Sequence, residues 1–364
     1  MLWRLELRRR IKTRAALEKH LKLSPAESRW FEETEKAEKP EKAADGKAAP
    51  VFGFLVTPYF LSRAGKEKND PVRVQCVPDS RELARGPEEL RDPLGDAAYT
   101  KVPRLVHRCR DRALLLVTDE CAVNCRYCFR RHYAGGRRGP IRGSELKNAA
   151  AYLKAHHEVH ELILSGGDPL TLDDERLFSL IDILREARPG LLLRLSTRIA
   201  SALPSRVTRR LAQGLGLRQP LWGVIHINHP KELGPECTEA LRRLVSAGVP
   251  LVSQTVLLRG VNDSEAVLEE LFRALARRRV KPYYLFQADL AEGTGHFRAP
   301  LARGLEIMKG LRGRLSALAL PEYALDLPGG GGKTPLSPSY IKGEEEGFVI
   351  FENSEGKEYR YPKE

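Results

Sequence analysis

Cys121, Cys125 and Cys128 fall within eight residues of one another, in the run Thr118-Asp119-Glu120-Cys121-Ala122-Val123-Asn124-Cys125-Arg126-Tyr127-Cys128. Thiolates bind soft metals and iron–sulfur clusters. Four cysteines would close a four-iron cluster, whereas three on a short loop leave one iron open to a ligand that is not protein. A catalytic cluster needs that opening. The rival is a single zinc ion with His132 as fourth ligand, but structural zinc normally uses two paired halves and no second half is present. The other cysteines, Cys76, Cys109 and Cys237, are scattered and read as buried thiols. In a chain of this length without a secretory signal, ligation outranks a disulfide framework.

Two further segments could do chemistry. About forty residues after the cysteines the chain reads Ser165-Gly166-Gly167-Asp168-Pro169. Glycines let a backbone approach a ligand closely, and a carboxylate there can accept hydrogen bonds from an ammonium group. Near the other end stands Leu325-Asp326-Leu327-Pro328-Gly329-Gly330-Gly331-Gly332-Lys333-Thr334-Pro335. A phosphate-cradling P-loop needs Gly where Leu327 stands and a long helix where Pro335 intervenes, so that reading fails. A flexible loop with an incidental lysine and a lysine that carries pyridoxal 5′-phosphate (PLP) as a Schiff base both remain.

The elements that must position these groups follow from apolar patterning. Short apolar, often β-branched runs recur at Ala113–Thr118, Glu161–Ser165, Leu191–Ser196, Leu221–Ile227, Pro250–Leu258 and Lys281–Gln287. Amphipathic helix-length stretches such as Asp173–Ala187 and Asp263–Arg279 lie between them. Alternation with a period of about 30 residues predicts parallel βα units in an α/β fold. The count is about six units, a partial and open barrel, with active residues at the C-terminal ends of the strands. Residues 1–103 are expected to form a helical and irregular N-terminal region, residues 104–299 the barrel core, and residues 300–364 a C-terminal helix and the lysine segment. Within the first region, residues 1 to about 35 read as helical, 32–50 as a solvated helix end or linker, and 52–103 as irregular.

Composition bounds the rest. The 364 residues carry a formal net charge of +13, spread along the chain and interleaved with Glu and Asp rather than gathered in a stripe. No nucleic-acid partner is expected, although an iron–sulfur RNA-binding protein or regulator is the reading the charge alone would favour. No window of apolar residues is long enough to span a membrane, and the basic start lacks a signal-peptide h-region, so the cytoplasm is the expected location.

The C-x-x-x-C-x-x-C spacing after a strand, with Tyr127 before the last cysteine and Gly-Gly-Asp at the next strand end, resembles the radical S-adenosylmethionine (SAM) superfamily. Together with Pro-Gly-Gly-Gly-Gly-Lys, it is similar to the lysine 2,3-aminomutase family. Thr57-Pro58-Tyr59, Asp70-Pro71-Val72-Arg73, Asn228-His229-Pro230, Gln254 to Asn262 and Gly295-His296-Phe297-Arg298 extend the likeness along nearly the whole chain. The resemblance implies a radical SAM, PLP-dependent isomerase moving the amino group of free L-lysine from C2 to C3. Its cofactors would be a 4Fe–4S cluster on Cys121, Cys125 and Cys128, SAM at the open iron, and PLP on Lys333. Ser165, Gly166, Gly167, Asp168, His226 and Gln254 would line the SAM site, Arg108 and Arg112 the PLP phosphate. Arg130 would pair with the substrate carboxylate, Asp289 and Asp326 with the distal ammonium of lysine. An electron donor such as flavodoxin or ferredoxin and a homo-oligomer are implied as partners.

The chain departs from the pattern in places. Cys109 stands where clostridial-type members carry a tyrosine near PLP. The clustered C-terminal cysteines that bind zinc between subunits in some members have no counterpart after Cys237. The stretch Cys125 to His132 is closer to a branch that makes (R)-β-lysine for modification of elongation factor P. Mutases acting on glutamate or arginine are the remaining enzymatic alternatives, and the two aspartates weigh against glutamate.

Overall fold

A computed structural model describes residues 2–37, 52–135, 138–353 and 355–363. The six apolar runs form the strands β3 (Arg112–Thr118), β4 (Glu161–Gly166), β5 (Leu192–Thr197), β6 (Leu221–His226), β7 (Leu251–Leu257) and β8 (Val280–Gln287), and the chain adds β1 (Thr100–Val102) and β2 (Leu105–Cys109) before them and β9 (Glu322–Leu327) and β10 (Gly332–Pro335) after them. They build one sheet in sequence order, parallel from β3 to β9, with antiparallel additions at each end. The sheet stays open, because β1 and β10 are its two edges. Six β-to-helix crossovers join β3 to β9, so the partial barrel holds the expected number of units and ends on a seventh parallel strand. That strand, β9, pairs with β8, and the sheet therefore runs on past residue 300.

Strand alternation separates core from cavity. In β5, Leu193, Leu195 and Thr197 are buried while Arg194 and Ser196 face a central cavity. In β4, Leu162 and Leu164 join the core and Ile163 and Ser165 face the same cavity. A side-chain period of two gives every strand one wall for the helices and one for the site. Helices start where capping side chains stand. Asp173 accepts from Arg176 N at 2.9 Å ahead of the helix Asp174–Ala187, and Ser264 caps Glu265–Arg277, satisfying backbone donors that would otherwise be orphaned.

The N-terminal region contributes the helices Leu2–Arg8, Arg14–Glu18 and Pro25–Ala37. The latter part of the charged stretch, 38–50, lies outside the described residues. Although punctuated by prolines, the segment from 52 onward is tied on both sides: Ile11 and Val56 exchange backbone bonds at 2.7 and 3.0 Å, and Asn124 N, in the loop after β3, donates to Leu55 O at 2.8 Å. A separate three-stranded sheet of β11 (Ile341–Glu345), β12 (Phe348–Glu352) and β13 (Glu358–Pro362) follows the lysine segment. No helix of the described residues is long and apolar enough to cross a membrane.

Candidate active site

A cavity of about 350 Å³ opens inside the barrel, at the C-terminal strand ends where an α/β scaffold places its chemistry. The residues that the family resemblance assigns to cluster, SAM, PLP and substrate all line it, whereas Cys76, His132 and Cys237 do not. The three cysteines come from the loop after β3, Ser165 to Asp168 from the end of β4, His226 and Gln254 from β6 and β7. Asp289 follows β8, Asp326 and Lys333 sit on β9 and β10, and Arg108 and Arg112 on β2 and β3.

The cysteine loop is fastened from several sides. Asn124 N and Nδ2 donate to Leu55 O at 2.8 Å and Gly53 O at 2.9 Å. Arg126 is fully buried and grips Glu82 through Nε at 2.9 Å and Nη2 at 2.6 Å. Arg131 Nη2 adds a third bond to Glu82 at 2.7 Å. Burial pushes the Glu82 carboxyl upward, but the two guanidiniums overcome this and hold it below its ordinary value. Beneath the loop, Arg198 Nη1 stands 2.8 Å from Cys125 Sγ and also donates to Tyr127 Oη. Its Nη2 reaches Gln75 Oε1 at 2.8 Å and Glu232 Oε2 at 3.0 Å. Tyr127 Oη in turn lies 2.7 Å from His226 Nε2. Burial, reinforced by Arg198, lowers His226 to about 3, so its imidazole is neutral.

Burial, and then the neighbouring cysteine sulfurs, push the Cys121 and Cys128 thiols above their ordinary value. Among the described residues, no three His, Cys, Asp or Glu side chains converge as a single metal ion would require. A zinc ion needs its donors within about 2.3 Å of one point, whereas a four-iron cluster takes one thiolate on each of three irons. His132, the rival zinc ligand, is not among the residues that line the cavity. Three cysteine thiols on one loop lining one cavity are a donor set that suits such a cluster.

The glycine pair joins this loop to the next strand. Gly167 N donates to Thr118 O and Asp168 N to Glu120 O, both at 2.7 Å. A Cβ on Gly167 would lie 2.2 Å from Glu120 O, so only glycine permits the approach. The Asp168 carboxylate is already engaged, accepting from Leu170 N at 3.0 Å, Thr197 Oγ1 at 2.7 and 2.9 Å, and Arg198 N at 2.7 Å. Burial nonetheless raises it to about 6. Its geometry is that of a bolt between the ends of β4 and β5.

At the opposite end stands the lysine. Lys333 faces Asp326 across the β9–β10 pair, with Nζ 2.7 Å from Asp326 Oδ2 and 3.8 Å from the centre of the Phe286 ring. Burial lowers its pKa, opposed by Asp326. Gly330, at φ +91°, packs where a Cβ would meet the Tyr99 ring at 2.4 Å, which fixes the course of the glycine segment. Arg108 bonds Leu94 O at 3.1 Å and Asp326 Oδ1 at 3.5 Å. Arg112 is more open and pairs across the hairpin with Cys109. Of the three scattered cysteines, Cys76 and Cys237 are buried, but Cys109 is half-buried and lines the cavity. An amine against aromatic faces, with guanidiniums close by, suits PLP.

Two groups in this half have free bonding capacity. Arg130 is held through Nε to Asp96 Oδ2 at 2.9 Å and stacks on Phe129 at 4.5 Å, which leaves its two Nη groups without a hydrogen bond to any described residue. Asp289 accepts none from any described residue, and burial followed by the negative charge of Asp326 raises its carboxyl to about 7, against Lys333, Arg130 and Arg108. Sequence reading missed Arg198, Gln75, Glu232, Glu82 and Asp96. Each acts through a contact distant in sequence, and none belongs to a short motif.

Comparison with known proteins supplies the lineage. The family model described as Lysine-2,3-aminomutase matches residues 308–364, and the Radical SAM superfamily model matches residues 115–207. The chain is 40% identical over 355 residues to L-lysine 2,3-aminomutase of Acetoanaerobium sticklandii, covering 97% of this chain and 82% of that one. Identity to the enzyme of the same name from Clostridium subterminale is 39% with the same coverage. Glutamate 2,3-aminomutase of Clostridioides difficile is 36% identical over 320 residues, 88% of this chain and 76% of that one. This relationship brings with it a 4Fe–4S cluster, SAM and PLP as cofactors. With that ancestry and a cavity built for such cofactors, the chain belongs to the lysine 2,3-aminomutase family of radical SAM isomerases.

Proposed function

We propose that this isomerase acts on free L-lysine, shifting its amino group from C2 to C3 to give β-lysine. The observation that carries this reading is the pair of carboxylates, Asp289 and Asp326, at the Lys333 end of the cavity. Two neighbouring anions, one without a hydrogen bond from the described residues, stabilise an ammonium and repel a carboxylate. A glutamate side chain would meet like charge there. The names of the relatives from Acetoanaerobium and Clostridium agree with this choice, while the glutamate-specific relative shows that the family can serve either end-group.

Within this reading Cys121, Cys125 and Cys128 would hold the cluster, and three thiolates would leave it able to bind SAM. Ser165, Gly166, Gly167, His226 and Gln254 bound the SAM site, and Asp168 holds β4 to β5 beside it. Lys333 is the amine through which PLP is held, with Arg108 and Arg112 placed for its phosphate. When bound, the cluster and SAM supply a radical able to take a hydrogen atom from an unactivated carbon, and PLP supplies a conjugated ring to hold the moving nitrogen. The chain does the rest. Arg130, pinned by Asp96, turns a planar fork toward the substrate carboxylate. The two aspartates take the distal ammonium, so the substrate is held at both ends and C3 is fixed between them. Neutral His226 and the buried Tyr127 line the cluster side of the cavity.

The test is a substrate panel with anaerobically reconstituted enzyme, SAM, PLP and dithionite. Lysine is expected to give its β-isomer at least tenfold faster than glutamate or arginine. Faster turnover of glutamate or arginine would overturn the assignment of lysine while leaving the chemistry in place.

A further inference from the structure

We propose that the N-terminal helix Leu2–Arg8 and the basic residues after it form the docking surface for an acidic one-electron carrier protein, beside the outer edge of the cysteine loop. The inference rests on the radical SAM reading, because reductive cleavage of SAM consumes one electron that must reach the cluster from outside. The inner side of the loop faces the cavity. Its middle is covered by Gly53, Leu55 and Glu82, and Arg198 with Gln75 and Glu232 lies beneath it. What remains is the Glu120-Cys121 edge. There Arg10 Nη1 donates to Cys121 O at 2.5 Å, so the N-terminal segment touches the backbone of a cluster ligand directly.

The surface has the composition of a protein interface. Arg4, Arg8, Arg9 and Lys12 are exposed, and Arg8, Arg9 and Lys12 make no ion pair with any described residue. Arg4 is only loosely paired, 3.7 Å from Asp173. Among these charges sit two apolar side chains, Leu2 at 68% and Leu5 at 49% exposed. Leu2, Leu5 and Arg9 are spaced three and four apart, so they share one face of the helix. An apolar centre with a basic rim fits a folded acidic partner better than a nucleic-acid backbone, which would call for cations and stacking aromatics. Trp3 and Leu7 face inward and anchor the helix, with the Arg206 guanidinium 4.4 Å from the Trp3 ring and Ser205 Oγ donating to Glu6 at 2.7 Å. The patch is therefore presented on a fixed support. One electron passes from the reduced carrier, which is oxidised by one equivalent, to the oxidised cluster, and no bond forms between the proteins.

The experiment uses the reconstituted holoenzyme and a recombinant flavodoxin as probe, with affinity measured calorimetrically at low and high salt. Cluster reduction by photoreduced flavodoxin is followed by electron paramagnetic resonance. Wild type should bind with an affinity that falls as salt rises. The triple variant Arg8→Ala, Arg9→Ala, Lys12→Ala should bind at least tenfold more weakly, with a flatter salt dependence and slower cluster reduction. Leu5→Asp, which leaves every basic residue in place, should weaken binding as well. Both variants should turn lysine over like wild type when dithionite supplies the electron. Unchanged flavodoxin affinity in both variants, no binding by wild type, or tighter retention of a single-stranded RNA oligonucleotide than of flavodoxin would overturn the proposal. Failure of lysine turnover with dithionite would instead count against the proposed function, since binding and cluster reduction are read without it.

Discussion

At the scale of single residues, the site is a problem of placing charge. Asp289 is held near pH 7 by burial and by Asp326, opposed by the cations of Lys333, Arg130 and Arg108. An ammonium binds the ionised form. As pH falls through about 7 the carboxyl takes up a proton, and the KM for lysine should rise between pH 8 and pH 6. Asp289→Asn should abolish that rise and lower kcat/KM for lysine at pH 8 by about a hundredfold or more, the usual scale for breaking a buried charge pair. A KM that rises equally in the variant would assign the pH dependence to another group. A raised carboxyl pKa also means that Asp289's contribution to stability falls as pH climbs from about 4 to about 7. The residues that line the cavity were legible where a motif names them, as with the cysteines and Lys333. Arg198 was not, because an arginine after a strand looks like any other until its guanidinium is found against Cys125, Tyr127, Gln75 and Glu232.

At the scale of elements, the strand ends are locked to one another, and the site depends on those locks. Gly167→Ala would push a Cβ into Glu120 O and separate the end of β4 from the cysteine loop. Iron content after anaerobic reconstitution should fall several-fold and the unfolding temperature should drop. Full iron content with unchanged melting would refute the argument. Thr197→Val removes the hydroxyl that donates to both Asp168 oxygens, and should cost about 1–3 kcal/mol as a buried carboxylate loses a donor. Thr197→Ser should restore it, both changes being read by denaturant unfolding. The six inner strands were legible because each is a short apolar run with at least one face in the core. β9 was not, since Glu322 and Asp326 interrupt its apolar pattern and it leads straight into the lysine segment. β10 contains Gly332 and Pro335, both poor strand residues. In β11 and β13 every residue is exposed, so no core-facing alternation marks them.

At the scale of the whole molecule, one cavity draws on both ends of the sheet: Arg108 and Arg112 from β2 and β3, Asp326 and Lys333 from β9 and β10. A ligand that touches both sets stabilises an open sheet whose edges do not pair. PLP should therefore raise the melting temperature of the cluster-loaded protein by mass action, and the rise should vanish in Lys333→Ala, as measured by scanning calorimetry. The same rise in that variant would place PLP elsewhere. The net charge of +13, ambiguous in the sequence, divides in the structure between guanidiniums that fasten the site and an outer basic surface. The most direct test of the central claim follows the nitrogen itself. Lysine labelled with ¹⁵N at the α-amino group and ¹³C at C2 and C3 is incubated anaerobically with reconstituted enzyme, SAM, PLP and dithionite, then examined by NMR. The account predicts that ¹⁵N coupling passes from C2 to C3 and that Lys333→Ala shows no transfer. Label remaining on C2, from protein shown to hold its full cluster and PLP and to cleave SAM, would contradict it.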